Sequence, residues 1–299
     1  MVDRHPRQNP IDARPWTFYA LGMLFALYML FLYGPMLVIY TLSFQGPNGG
    51  VTFPIVDPSL DWFRDVWRKG QMADIPAAFS RSMALASVVS FLTVLISVAG
   101  GLAFRRPFRG GGVVFYIAIS SLVMPSLLVG FGIGLGFQFL GLQPSLFTSA
   151  LGAQLTWTLP FGLVTMFAVV NRFDRSWEEA ASDLGATPFQ RLRYVTVPIL
   201  LPGILGVALS AFTLSYDEYA RTTLTIGARN TLPLEIYALI SSQTTPMLFA
   251  LGTLTTAVSF LLIGTTLLFL VQTQQRRQWH RGPDVEPVGA WTRDTTSNL

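Results

Sequence analysis

The sequence predicts an all-α integral membrane protein with six transmembrane helices. Three observations carry this reading. Hydrophobic residues fill 51% of the 299 positions, charged residues only 12%, and the mean hydropathy is +0.49; an average soluble domain is about 25% charged. Six apolar runs, at roughly 18–42, 81–104, 113–140, 147–170, 197–217 and 247–271, are long enough to cross a bilayer. The arginines fall on alternating connections between those runs, as the positive-inside rule requires.

Taken in order, residues 1–17 form a tail carrying Arg4, Arg7 and Arg14. The run 18–42 is too long for a signal-peptide core and no small-residue cleavage site follows it, so it reads as a retained span. Residues 43–80 form the one long outer loop, expected to be periplasmic. It opens on the turn cluster Gly46-Pro47-Asn48-Gly49-Gly50. Leu60, Phe63 and Trp67 then recur at helical spacing, which predicts a short helix at the interface. Residues 81–271 hold the transmembrane core. Its basic connections carry Arg105, Arg106 and Arg109 after the second span, and Arg172, Arg175, Arg191 and Arg193 after the fourth. The tail 272–299 adds Arg276, Arg277, Arg281 and Arg293; from 282 it has no apolar period and is expected to be largely disordered. Fourteen of the 20 basic residues thus lie on one side. The other side holds Arg64, Arg68, Lys69, Arg81, Arg221 and Arg229 among Asp57, Asp61, Asp65 and Asp74. Both termini are therefore expected in the cytoplasm.

Several chemistries are excluded or left without residues. There is no cysteine, hence no disulfide and no thiolate metal site. The histidines, His5 and His280, stand in polar tails, so neither a Ser–His nor an HExxH centre is available. The single lysine, Lys69, lies in Arg-Lys-Gly and not in a Walker A loop, so ATP chemistry would need another subunit. The formal charge of +4 calls for no nucleic acid.

One charged segment, 178–203, has helix punctuation at every joint. Ser176 with Glu179 three residues on predicts a capping box, and Glu178 and Glu179 suit the positive end of a helix dipole. Gly185 is placed to end the helix, giving a helix at 177–184. Thr187-Pro188 then starts a second helix, leading through Phe189, Leu192 and Val195 to the fifth span. A helix of about eight residues is marginal alone in water. Its apolar face of Ala180, Ala181 and Leu184 packs either on neighbouring spans or in a groove on a partner.

Other motifs weigh less. Gly130, Gly132, Gly134 and Gly136 form GxGxGxG inside a span, not a dinucleotide loop but a close-packing face, with a flexible or unwound stretch beside a translocation path as the alternative. Asp217 and Glu218 are adjacent acids at the outer end of a span, where acids are costly and often functional. With Tyr216 and Tyr219 they would attract a cation; a plain Asp217–Arg221 ion pair at i,i+4 is the alternative. Trp157, Gln154 and Gln138 lie inside spans, with Trp157 a further candidate for the path. Arg105-Arg106-Pro107-Phe108-Arg109 reads as an anchor to anionic lipid heads.

Glu179-Ala180-Ala181, three residues, Gly185, nine residues, then Val195-x-Val197-Pro198 resembles the EAA signature of ABC importer permeases, EAA-x3-G-x9-I-x-L-P, with Val at its two aliphatic positions. Tyr33-x-Pro35, Met124-Pro125 and Leu159-Pro160-Phe161 are similar to further marks of that family. Ser215-Tyr216-Asp217-Glu218-Tyr219 with Thr231-Leu232-Pro233-Leu234-Glu235-Ile236-Tyr237 resembles the spermidine/putrescine branch in its second, C-type subunit. Ile226-Gly227-Ala228-Arg229 departs from the Gly-Pro turn more usual there.

The resemblance implies a type I ABC importer permease (MetI-like) fold, and a coupling helix in which Glu178, Glu179, Ala180, Ala181, Leu184 and Gly185 meet the ATPase. It implies no catalytic residue, metal or cofactor in this chain, with ATP and Mg on a partner ATPase. The expected partners are a second homologous permease, two ATPase subunits, a periplasmic solute-binding protein and membrane lipid, at a bacterial inner membrane. Spermidine or putrescine is the expected cargo. An opine-like compound, an aminophosphonate or ferric iron are alternatives on the same machinery. An ATP-independent secondary transporter is disfavoured, because no coupling acids stand at mid-membrane.

Overall fold

A computed structural model describes residues 15–68, 74–242 and 245–279. Arg4, Arg7, Arg14, His5, Lys69, His280 and the tail from 282 lie outside the described residues. Every regular element among the described residues is helical. The chain divides into two compact units.

The first unit takes in the residues up to Asp74 together with Ala238–Thr256. Its long helix α1, Trp16–Leu42, is apolar on all sides and its most hydropathic window has no buried residue, so the whole cylinder is built for an apolar surrounding. After α1 the chain folds back on Gln45, which is fully buried. Its amide donates to the Gly50 carbonyl at 2.9 Å, and its carbonyl accepts the Val56 N–H at 2.8 Å. The turn cluster is thus held by one side chain. The expected interfacial helix is a single short turn, α2, Asp61–Asp65, with Phe63 against Phe44 at 5.5 Å and Leu60 and Trp67 exposed.

The second unit takes in Ile75–Tyr237 and the residues from Ala257 onward. Helix α3, Ile75–Ala103, begins six residues before the expected span, inside the stretch read as outer loop. Helices α4, Gly111–Ser120, and α5, Ser126–Phe139, follow, then α6, Leu151–Asn171, entered by a π-helical turn at Leu146–Ala150. Two short helices, α7, Ser176–Asp183, and α8, Pro188–Arg191, precede a second π turn, Leu192–Thr196, and α9, Val197–Tyr216. The division along the chain falls within α10, Leu232–Ser242, and within α11, Met247–Trp279.

The expected third span, 113–140, is corrected by this order: it is two half-length helices separated at 121–125. Pro125 has no N–H to give and disfavours helix at Met124, so the run breaks there. Five helices among the described residues remain long and apolar enough to cross a membrane.

The core of the second unit is the triangle α3, α6 and α9. Met166, Val170, Leu200 and Val207 are buried at its centre, packed by Val94, Val98 and Ile204. Polar contacts join the same helices: Thr93 donates to Thr158 at 2.9 Å, and Ser90 to the Ala208 carbonyl at 2.8 Å. Lipid offers helices no hydrophobic drive to associate, so close packing and such hydrogen bonds must hold the triangle. The non-helical segment 217–231 runs back into this unit. Ser149 donates to the Thr225 carbonyl at 2.6 Å, Arg81 to the Asn230 carbonyl at 2.7 Å, and Ser82 accepts the Leu232 N–H at 2.8 Å. Irregular backbone among spans is tolerable when buried protein groups satisfy it in this way.

Glycines of α5 admit that segment. A Cβ on Gly130 would lie 2.8 Å from the Arg221 carbonyl oxygen, and one on Gly134 2.7 Å from that of Leu224. Gly132 and Gly136 face open space. The close-packing face is therefore one glycine pair, and it meets a loop backbone, not a second helix.

Candidate coupling helix and membrane cavity

Helix α7 is built to be rigid and to stay outside the core. Its start differs from the expected capping box: Ser176 already lies inside the helix, and the Asp174 carboxylate accepts the Ser176 N–H at 2.9 Å. That hydrogen bond holds the Asp174 carboxyl below its ordinary range. The helix ends in a Schellman motif, with Gly185 N–H donating to the Ser182 carbonyl at 2.9 Å and Ala186 N–H to that of Ala181 at 3.0 Å. Gly185 has φ +81°, which a residue with a Cβ rarely adopts. Thr187 caps α8 with Pro188 behind it, and Gln190 returns the bond, a reciprocal box 11 residues after the one expected from sequence.

Glu178 ties α7 to the bundle. Its Oε1 accepts from Arg105 Nη1 at 2.8 Å and from the Thr196 hydroxyl at 2.6 Å, linking the end of α3 to the entry of α9. The Arg105 hydrogen bond holds the Glu178 carboxyl below its ordinary range; partial burial opposes this, while Thr196 and the charge of Arg191 add to it. Arg105 is only 13% exposed, lies over the Phe173 ring at 4.8 Å, and receives an Arg175 hydrogen bond on its carbonyl. The expectation that Arg105 reaches for lipid is corrected: a carboxylate 73 residues away holds it inward. No sequence spacing announces that pair.

The apolar face of α7 is left open. Leu184 is 90% exposed, Trp177 is exposed at 59%, Glu179 and Ala180 are exposed, and Ala181 is half-buried. Of the two readings, packing on the chain's own spans does not account for Leu184, Trp177 and Ala180, which the described residues leave uncovered. Glu178 and Glu179, neighbours in sequence, have opposite placements: the first points into the bundle and the second into solvent.

A second candidate lies among the spans. A cavity of about 340 Å³ is lined by Ser126, Trp157, Thr213, Leu214, Asp217, Glu218 and Arg221. Asp217 and Glu218, adjacent at the end of α9, are thus brought beside Trp157 of α6. Tyr216 and Tyr219 are not: Tyr216 is buried and stacks on Phe212, and Tyr219 packs on Tyr237 at 4.8 Å. The ion pair is also displaced from its expected partner. Arg221 pairs with Glu218 at 3.5 Å, and its backbone N–H donates to Glu218 Oε1 at 2.8 Å, leaving Asp217 exposed. The i,i+3 spacing of Glu218 and Arg221 is a signal the sequence did hold. Gln154, fully buried, donates to Thr222 at 2.9 Å and accepts from Ser215, so it is a clamp between segments; Gln138 is exposed. No group of three or more potential metal-ligating residues occurs among the described residues.

Apolar spans, an exposed short helix and a cavity lined by two acids and an arginine between helices fit a membrane transport subunit. The chain belongs to the binding-protein-dependent transport system inner membrane components, whose family model matches residues 93–280. It is a permease subunit and not an enzyme; in ABC importers the ATPase is a separate subunit, and permeases work with a partner permease and a periplasmic binding protein. The spermidine/putrescine transport system permease protein PotC of Haemophilus influenzae is 29% identical over 238 residues, 78% of this chain and 89% of that protein. The putrescine transport system permease protein PotI of Escherichia coli is 28% identical over 254 residues, 82% and 87%. Among solved structures, a chain of a bacterial ABC transporter that imports the acidic polysaccharide alginate matches with a TM-score of 0.63 at 17% identity, over 87% of this chain and 96% of that one. The MetNI methionine ABC transporter matches at 0.54 and 16%, over 67% and 95%. These likenesses show the ABC importer permease (MetI-like) fold.

Proposed function

We propose that this chain forms half of the pore of an ATP-driven importer for a small organic cation, with spermidine or putrescine first. The open, capped face of α7 carries the coupling part of this reading. A rigid helix that exposes Leu184 and Trp177 to water is unfavourable until a partner covers them. The ATPase is that partner, and the α7 end of the bundle faces the cytoplasm with both termini. ATP-driven motion of α7 passes through Glu178 to Arg105, two residues after α3, and to Thr196 before α9. The triangle of spans then switches access to the pore, a two-state element biased from a distant site.

The cation part rests on Asp217, Glu218 and Trp157 around one cavity, which supply charge and a π face to an ammonium group, and on the names of the relatives. Detergent extraction from the native host with mass spectrometry tests both parts. Co-purification of an ATPase and a second permease, with a binding protein that binds spermidine or putrescine, is expected. A chain that purifies alone and transports in liposomes without ATP would refute the assembly; a binding protein that ignores both amines would refute the cargo.

A further inference from the structure

We infer that Arg221 is a fixed internal charge that limits how many ammonium groups the membrane cavity accepts, and so favours a diamine over a triamine. The inference rests on the cavity being part of the path for an organic cation.

Arg221 is the largest fully buried side chain among the described residues, at 1% exposure. A buried guanidinium among spans is costly and calls for a reason. Its charge is offset incompletely. Glu218 stands at 3.5 Å from Nη1, the Trp157 ring lies 4.9 Å from Cζ, and Nε and Nη2 meet no acceptor among the described residues. Counted as formal charges, the cavity lining of Asp217, Glu218 and Arg221 sums to −1 where the two acids alone would give −2.

The guanidinium has little room to yield, because the side chain is 1% exposed and lies between Glu218 and the Trp157 ring, and the backbone that carries it is also held. The Arg221 backbone is pressed against Gly130, its carbonyl accepts the Thr225 hydroxyl at 2.8 Å, and its N–H is held by Glu218 at 2.8 Å. A displaceable cation would simply leave when substrate entered. A fixed one stays and repels every ammonium beyond those the acids neutralise. Putrescine brings two positive charges and spermidine three, so the penalty falls harder on spermidine. One unit charge at about 10 Å in a medium of effective dielectric about 20 changes the binding of one further ammonium by roughly tenfold.

The test uses the complete importer in liposomes with its own binding protein, and compares kcat/KM for putrescine and spermidine uptake. The binding protein is the same in every arm, so its own selectivity cancels when the ratio of one variant is divided by that of another. Arg221→Gln is expected to shift the ratio roughly tenfold toward spermidine, while Arg221→Lys, which keeps the charge, holds it near the parent value. Glu218→Gln supplies an independent arm should Arg221→Gln fail to assemble: it is expected to weaken both amines and spermidine more. Equal ratios in the parent, Arg221→Gln and Glu218→Gln would overturn the inference. A parent importer that carries neither amine would instead refute the cargo reading beneath it.

Discussion

Leu184→Ala is the sharpest perturbation of the coupling helix. Leu184 is 90% exposed, so its side chain contributes almost nothing to the stability of this chain. Full burial of a leucine against a partner is worth about 1.5–3 kcal/mol, and truncation to alanine removes the larger part, roughly 1–2 kcal/mol. At 1.4 kcal/mol per decade, docking of the ATPase weakens about five- to thirtyfold. Thermal unfolding of the purified chain should not move, while the ATPase concentration needed for half-maximal assembly rises by that factor. An unfolding midpoint that falls, or assembly that is unchanged, would refute the reasoning, since the first would mean Leu184 packs on its own chain and the second that nothing covers it.

Further predictions follow from the same geometry. Gly185→Ala forces a Cβ into φ +81° and should lower the stability of the α7 end by about 1–2 kcal/mol, read by hydrogen exchange over 176–190. Glu178→Gln removes a charged partner from Arg105 and should loosen α7 by about 1–3 kcal/mol. Because the folded-state carboxyl is depressed, that anchoring is complete at neutral pH and is lost as pH falls through and below 4.5, so α7 protection relative to the intrinsic exchange rate should fall on acidification more in the parent than in the variant, where, of these hydrogen-bonded carboxylates, only Asp174 is left to titrate. Gly134→Ala should destabilise the second unit by about 1–3 kcal/mol, whereas Gly132→Ala, in open space, should not; equal effects would refute the one-sided packing of α5. Asp217→Asn should lower amine uptake while the complex still assembles, and unchanged uptake would remove Asp217 from the path.

What could be read from sequence divides along physical lines. Apolar runs, caps and turn residues act over a few positions, so the spans, Gly185 and the Thr187-Pro188 start stood in the letters. The break at Pro125 was legible too, but an apolar run of 28 residues masked it. Contacts across the fold were not legible. Arg105 with Glu178, Ser149 with Thr225 and Gln154 with Thr222 and Ser215 join residues 61 to 76 positions apart. No local pattern distinguishes Glu178, turned inward, from Glu179, turned outward. Tyr216 and Tyr219 flank the two acids in sequence, but the chain leaves α9 at Asp217, so their rings part.

The chain has no cysteine, so Leu184→Cys would carry its only thiol. The most direct test of the account is the reactivity of that thiol toward a water-soluble maleimide, in the chain alone and in the assembled importer. The account predicts rapid labelling alone, strong protection on assembly, and a crosslink from residue 184 to the ATPase subunit. Equal labelling in both states, with no crosslink to the ATPase, would contradict it.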